Sequence, residues 1–191
     1  LVCLVGSEMC IRDSFNTIPN KVDFDIIIST VKLYDFDEFI EEIKKKGLHE
    51  TILLPFQNGV YSEQKISQEF GEEKTFGAVA QISSFINDNQ YVIHKGKLAS
   101  FFVGNMSDIV NKKLVKFCEI SKNSGLDIQY KLNIKEKIWE KFIFLSAYSG
   151  ITTLTKKSIG EIFASTALKD NFVSAMIETY NLSKFFNVKF K

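Results

Sequence analysis

The sequence predicts a two-part chain, a doubly wound α/β domain followed by an all-helical one. Three observations carry this prediction. Short β-branched runs alternate with amphipathic segments between residues 25 and 83, the order expected when helical crossovers join the strands of a parallel sheet. Residues 132–150, LNIKEKIWEKFIFLSAYSG, are apolar around most of a helical circumference, as in a largely buried helix. After Tyr130 only helical periodicity continues.

Each element follows from its own residues. Residues 25–31, DIIISTV, form a run suited to a strand covered on both faces. Residues 35–46 predict a helix, with Asp35 and Glu38 as a capping box, Phe36, Phe39, Ile40 and Ile43 as its apolar face, and Gly47 just past its end. Residues 51–55 predict a second strand, 62–70 a helix closed by Gly71, and 75–83 a third strand. Residues 91–95 and 99–103 predict a hairpin around Gly96. A helix is expected over 107–123, with Ile109, Val110, Leu114, Phe117 and Cys118 inward, and a last strand over 126–130. The domain boundary is therefore expected near Lys131. Beyond it, 158–163 predicts a helix opened by a Ser158–Glu161 capping box. Residues 168–186 predict another, with Phe172, Met176, Thr179 and Tyr180 along one face.

Composition bounds the function. The chain has 191 residues, 45% of them apolar, and 18 are Phe, enough for a real core in one large domain or two small ones. A net charge of +1 carries no electrostatic signature of a nucleic-acid or membrane partner. No apolar run reaches membrane length. Three cysteines without paired spacing point to a reducing, cytoplasmic setting, and two histidines are too few for a His-based metal site.

Two places carry candidate chemistry. In the 132–150 helix, Asn133 stands at the N-cap with Glu136 three residues on, a capping-box-like start. Ile134, Ile138, Trp139, Phe142, Ile143 and Leu145 cover most of its surface. Lys141 has Ile138, Phe144 and Leu145 as helical neighbours. Such a setting strips hydration from an ammonium and moves its pKa toward values useful for proton transfer. It equally suits a lysine at the margin of the buried stripe with its charge led out to water. The second place lies beyond the carboxyl ends of the predicted strands, where α/β sheets bind ligands. Lys32 follows the first strand, and Gln57-Asn58-Gly59 follows the second. Asparagine both donates and accepts, and glycine lets the backbone turn sharply. The same residues also fit a plain turn and a solvated strand end.

The triplet Trp139-Glu140-Lys141, preceded by Asn133-Ile134-Lys135 and followed by Thr152 and Ser158-Ile159-Gly160-Glu161, resembles the ketopantoate reductase family. STVK-x-YD at 29–35 and LLPFQNGV at 53–60 match further segments of that family in the right order. The resemblance covers residues 15–191 in three blocks. It implies NADPH-dependent reduction of a 2-oxoacid to a 2-hydroxyacid, ketopantoate to pantoate in pantothenate biosynthesis. It implies Lys141 as general acid, Lys32, Asn58 and Ser83 as cofactor-binding residues, and Asn58 and Ser149 as substrate contacts. His94 matches a histidine of structural rather than catalytic role, and a homodimer is an expectation of the same kind.

On this reading residues 15–131 are a partial Rossmann-like domain, and 132–191 open a helical, 6-phosphogluconate dehydrogenase-like substrate domain that is truncated at its C-terminus. Departures from the family are specific. No G-x-G-x-x-G occurs in the chain, although the family carries one at its N-terminus. Leu145, Ser149 and Ile159 stand where well-studied members carry asparagines, and the family's second carboxylate would lie beyond Lys191. These departures keep open a paralogue acting on another 2-oxoacid, and beside it a non-catalytic binding or assembly member.

Residues 1–14 stand apart. Val5 to Ser14, VGSEMCIRDS, resemble the in-frame translation of a transposase adapter used in sequencing libraries. They are expected to be non-native, which makes the remainder a fragment with Cys118 as its one cysteine.

Overall fold

The computed structural model describes Ile18 and residues 24–190, so the expected adapter-like segment lies outside the described residues. Strand β1 (Ile26–Ser29) leads through a 3-10 turn (Leu33–Asp35) into α1 (Phe36–Lys45). Strand β2 (Ile52–Pro55) follows and pairs in parallel with β1 from Ile26↔Ile52 to Ser29↔Pro55. Helix α2 (Tyr61–Phe70) then leads to β3 (Phe76–Ile86), β4 (Val92–Asn105), α3 (Lys112–Asn123) and β5 (Ile128–Tyr130). β3 and β4 are antiparallel, and β4 and β5 parallel. Three helices finish the described chain: α4 (Ile134–Thr155), α5 (Ile159–Ala164) and α6 (Thr166–Phe185).

The fold is thus mixed α/β followed by a helical part, as expected. β2 shows why its sequence lacks polar alternation. Leu53 packs with Phe36, Ile40, Ile43 and Ile66 of α1 and α2 on one face. Ile52 and Leu54 pack with Leu114 and Cys118 of α3 on the other. A strand covered twice must be apolar throughout.

Several boundaries differ from the sequence expectation, each for a local reason. The Asp35–Glu38 capping box does not form. The 3-10 turn holds Asp35 in right-handed helical backbone, and its side chain accepts no capping bond. At the other end, Gly47 N–H donates to Lys44 O and Leu48 N–H to Ile43 O, the paired bonds of a Schellman stop. The hairpin does not turn at Gly96. β4 runs through it, with Gly96 at φ +84° inside an outward bulge between His94 and Ala99, and the turn falls instead at residues 87–91. The bulge is closed by a bond between His94 Nε2 and Leu98 O at 2.9 Å.

The helix expected from 107 begins only at Lys112. Asn111 caps it by accepting from Leu114 N–H at 3.0 Å, which leaves Ile109 and Val110 exposed rather than inward. α4 is buried along one face rather than around most of its circumference. Ile134, Ile138, Trp139, Ile143 and Ala147 are covered, whereas Phe144, Tyr148 and Leu154 are exposed. It also runs on to Thr155, where Lys156 turns left-handed. The Ser158–Glu161 capping box forms as expected.

Candidate functional site

The site is built on the contact between α4 and the β3–β4 ribbon. Gly77 and Gly104 are cross-strand partners, and their missing side chains make a saddle for α4. A Cβ on Gly104 would stand 2.0 Å from the Lys131 carbonyl oxygen, and one on Gly77 2.5 Å from Ile138 Cδ1. Ile134 and Ile138 fill the saddle together with Val79 and Phe102. Asn133 fixes the start of the helix by accepting from Glu136 N–H at 3.3 Å. Trp139 packs against Phe142 and, from beyond α6, Phe186. One turn past Ile138, Lys141 is laid along β3.

Its ammonium turns onto the edge of the strand, and the side chain is half-buried. Lys141 Nζ donates to the Ala80 carbonyl at 2.7 Å, and loss of hydration lowers its pKa from the ordinary lysine value. Ala80 is free to accept because of strand geometry. Its β4 partner is Phe101, whose N–H donates toward β5, to Asp127 O. Ala80 therefore occupies a non-hydrogen-bonded pair, and its peptide groups point away from β4. β2 does not take up that edge. The amides of Ile52 and Phe56 go to the β1 side, to Asp25 O and Ser29 O. By alternation Pro55 faces the other way, where a proline has no N–H to give.

The turn after β2 is held from below. Gln57 Nε2 donates to Ser29 Oγ at 3.0 Å and to Val31 O at 2.9 Å, tying the end of β1 to the Gln57-Asn58-Gly59 turn. Val60 then packs against the α4 cluster of Ile134 and Ile138. Asn58 is left exposed, with Gly59 at φ +97° and open space around it. Lys32 is exposed at the N-cap of the 3-10 turn. Ser83 is exposed where the β3–β4 register shifts. Ser149 is exposed two turns beyond Lys141, with Leu145 half-buried between them. Among the described residues, no side-chain hydrogen bond joins Lys32, Asn58, Ser83 or Ser149 to Lys141. What links the two halves is packing: Val60 places the Asn58 turn against the helix that carries Lys141.

The structure adds a role for one residue of this region and brings out another that a reading of the sequence misses. Gln57, already marked together with Asn58 and Gly59, ties the turn to the end of β1 through its amide. Glu63 looks like the acidic residue common in a first helical turn, yet it is buried at 5% exposure. Burial pushes its carboxyl up to about 8, although the backbone amides of Glu63 and Ala78 approach it.

The exposed Asn58 amide and the Lys32 ammonium lie beyond two parallel strand ends, the place where α/β sheets bind ligands. Among the described residues, no cluster suits a metal ion, and no helix is long and apolar enough to cross a membrane.

Comparison with known proteins identifies the family. A family model described as ketopantoate reductase PanE/ApbA matches residues 6–108, and the model of the family's C-terminal part matches residues 133–190. A curated relative, the uncharacterized oxidoreductase YkpB of Bacillus subtilis, is 26% identical over 75% of this chain and 48% of its own length. The chain spans about half the length of the curated relatives it matches. The crystal structure of 2-dehydropantoate 2-reductase from Porphyromonas gingivalis superposes with a TM-score of 0.76 at 20% identity, over 87% of this chain and 58% of that one. A D-mandelate dehydrogenase in a ternary structure with NADH and anilino(oxo)acetate has the same fold, with a TM-score of 0.75 at 17% identity over 90% of this chain and 56% of that one. With the first of the two family models covering more than half its length, the chain belongs to the ketopantoate reductase family.

Proposed function

We propose that this chain supplies the catalytic lysine and the nicotinamide end of the cofactor site in an NADPH-dependent 2-oxoacid reductase. The observation that carries the reading is the half-buried Lys141 ammonium on the Ala80 carbonyl, with its pKa lowered by lost hydration. When bound, the nicotinamide cofactor supplies the hydride to the C2 carbonyl carbon. Lys141 holds a proton at Nζ and passes it to the carbonyl oxygen as negative charge develops there. Asn58 orients the substrate or the carboxamide of the cofactor, and Lys32 adds positive charge beyond β1. Ser83 meets the cofactor along β3, and Ser149 offers a hydroxyl to the substrate from the Lys141 face. The choice of NADP over NAD follows the family resemblance.

The reading is tested in the full-length protein by Lys141→Ala. The expected result is a kcat lower by roughly 10²–10⁴, the usual worth of a positioned general acid, with NADPH affinity unchanged. Because the lowered pKa makes the ammonium lose its proton early, the wild-type rate should fall on the alkaline side below the ordinary lysine value. A variant that keeps its kcat means that Lys141 is a structural lysine at the margin of the buried stripe and that the proton comes from elsewhere.

A second reading concerns the substrate. Leu145 and Ile159 offer no hydrogen bond where family asparagines would, which favours a paralogue that reduces a less polar 2-oxoacid than ketopantoate. A fold neighbour whose ternary structure holds an arylamino oxoacid is consistent with that alternative.

A further inference from the structure

Glu63 is the one buried carboxylate of the described residues that the reaction above does not use. Among the described residues no cation answers it. On its own helix Lys65 is taken by Glu69 at 3.1 Å and lies near Asp37 of α1. From α1, Lys44 goes to Glu41 and Glu69. From the 3-10 turn before β3, Lys74 is paired with Glu50. β2 and β3 carry no titratable side chain, and Lys141 is committed to Ala80 O. The partners that approach the carboxyl are backbone amides, those of Glu63 itself and of Ala78.

Ala78 pairs with Val103, whose carbonyl is taken on the β5 side by Lys131 N–H. Like Ala80, Ala78 therefore points its peptide groups away from β4. Lys141 thus bonds to the same free edge of β3 that the Glu63 carboxyl approaches, at positions two residues apart, roughly 7 Å along the strand. One arrives from α2, five residues after Asn58, and the other from α4.

We propose that Glu63 is a positioning residue for this site: its carboxyl on the Ala78 amide holds the outer edge of β3 open, so that the Ala80 carbonyl receives Lys141 and the first turn of α2 sets Asn58 on the same side. The proposal rests on Lys141 being the general acid. A neutral acid suits the task, because a buried carboxylate without a cation is costly. Ionisation drives the group toward water and releases the edge, so the site works with Glu63 protonated and loses alignment as the carboxyl ionises.

The test uses the full-length protein with NADPH and the best substrate among ketopantoate, 2-oxoisovalerate and phenylglyoxylate. Glu63→Ala leaves the Ala78 amide unpaired and should lower kcat by about 10- to 100-fold, the scale of a misplaced catalytic group, with KM little changed. Glu63→Gln keeps a neutral acceptor. It should restore kcat at pH 7 and hold it through pH 8, where the wild-type rate begins to fall, until Lys141 itself loses its proton. A merely structural glutamate moves stability but not this pH limb. Wild-type kcat in Glu63→Ala, or an identical alkaline limb in Glu63→Gln and wild type, overturns the proposal. If Glu63→Ala does not fold, the limb of Glu63→Gln decides alone. Lys141→Ala, run beside them, separates the two failures. A loss there with unaffected Glu63 variants overturns only the role of Glu63, whereas full activity there overturns the reading on which it stands.

Discussion

Lys141 is a lysine that gives up water for a single carbonyl. Its stem lies between Ile138 and Leu145 on a helix face that packs on β3, and its proton is held by Ala80 O at 2.7 Å. In the proposed reaction a substrate oxygen that displaces this carbonyl meets an ammonium that has already lost part of its hydration, which lowers the reorganisation that proton transfer requires. In the proposed reductase the residues around it set the substrate. Leu145 and Ser149 follow Lys141 at four-residue intervals on one face, and Ile159 opens α5. Sites built to hydrogen-bond a substrate hydroxyl discriminate by orders of magnitude against analogues that lack it, whereas apolar pockets do not. The expected outcome with a panel of 2-oxoacids is a kcat/KM for ketopantoate lower than for an apolar 2-oxoacid, by roughly 10-fold or more. Ketopantoate emerging as the best substrate by a wide margin would end the paralogue reading.

At the scale of elements, the decisive object is the Gly77–Gly104 pair. Glycine is usually a weak residue in a strand, but here two of them face each other across β3 and β4 so that α4 can approach the ribbon closely. The two are not equivalent. At Gly104 the obstacle to a methyl group is the Lys131 backbone, and at Gly77 it is the tip of the Ile138 side chain. Gly104→Ala should therefore cost about 3 kcal/mol, at the upper end of overpacking penalties. Gly77→Ala should cost about 1 kcal/mol, because Ile138 can rotate away. Urea unfolding of both variants measures the order. If Gly77→Ala is the more damaging, the saddle is not what seats α4. Both should also lower kcat, since Lys141 is one turn beyond Ile138 and moves with it.

At the scale of the molecule, Glu63 makes stability depend on pH. Its carboxyl titrates near 8 when folded and near 4.5 when unfolded. The folded state therefore holds the proton more tightly, and the stability that this gives is fully present below pH 4.5 and lost as pH rises toward 8. Exposed pairs such as Lys113–Asp25, 2.8 Å apart on the surface, are screened and weigh little. Chemical denaturation of wild type and Glu63→Gln at pH 5 and pH 8.5 isolates the group. The variant should gain on wild type by a few kcal/mol between the two conditions, by the linkage of a raised carboxyl pKa. Parallel behaviour at both values would mean that the carboxyl is hydrated.

Periodicity and turn chemistry determined most of the elements without help from the fold. The strand at 52–55, the apolar stripe of α1, the Gly47 stop, the Asn133 cap and the Ser158–Glu161 box are local matters, decided by residues within one turn of each other. The cover on both faces expected of 25–31 belongs instead to β2, because Ile28 of β1 is left exposed. So was the suspicion attached to Lys141, whose apolar helical neighbours are visible in the chain. Tertiary structure decided what depends on groups distant in sequence. The start of α3 was settled by an asparagine cap that also left Ile109 and Val110 outside, and the hairpin turn by strand pairing that carried β4 past Gly96. Whether Lys141 reaches water or a carbonyl was settled by two glycines more than thirty residues upstream and by a proline that cannot close the sheet edge. Glu63 was hidden for the same reason. A first-turn glutamate has the same sequence signature whether it faces solvent or the unpaired edge of a strand, and burial, which alone distinguishes them, is a property of the packed chain.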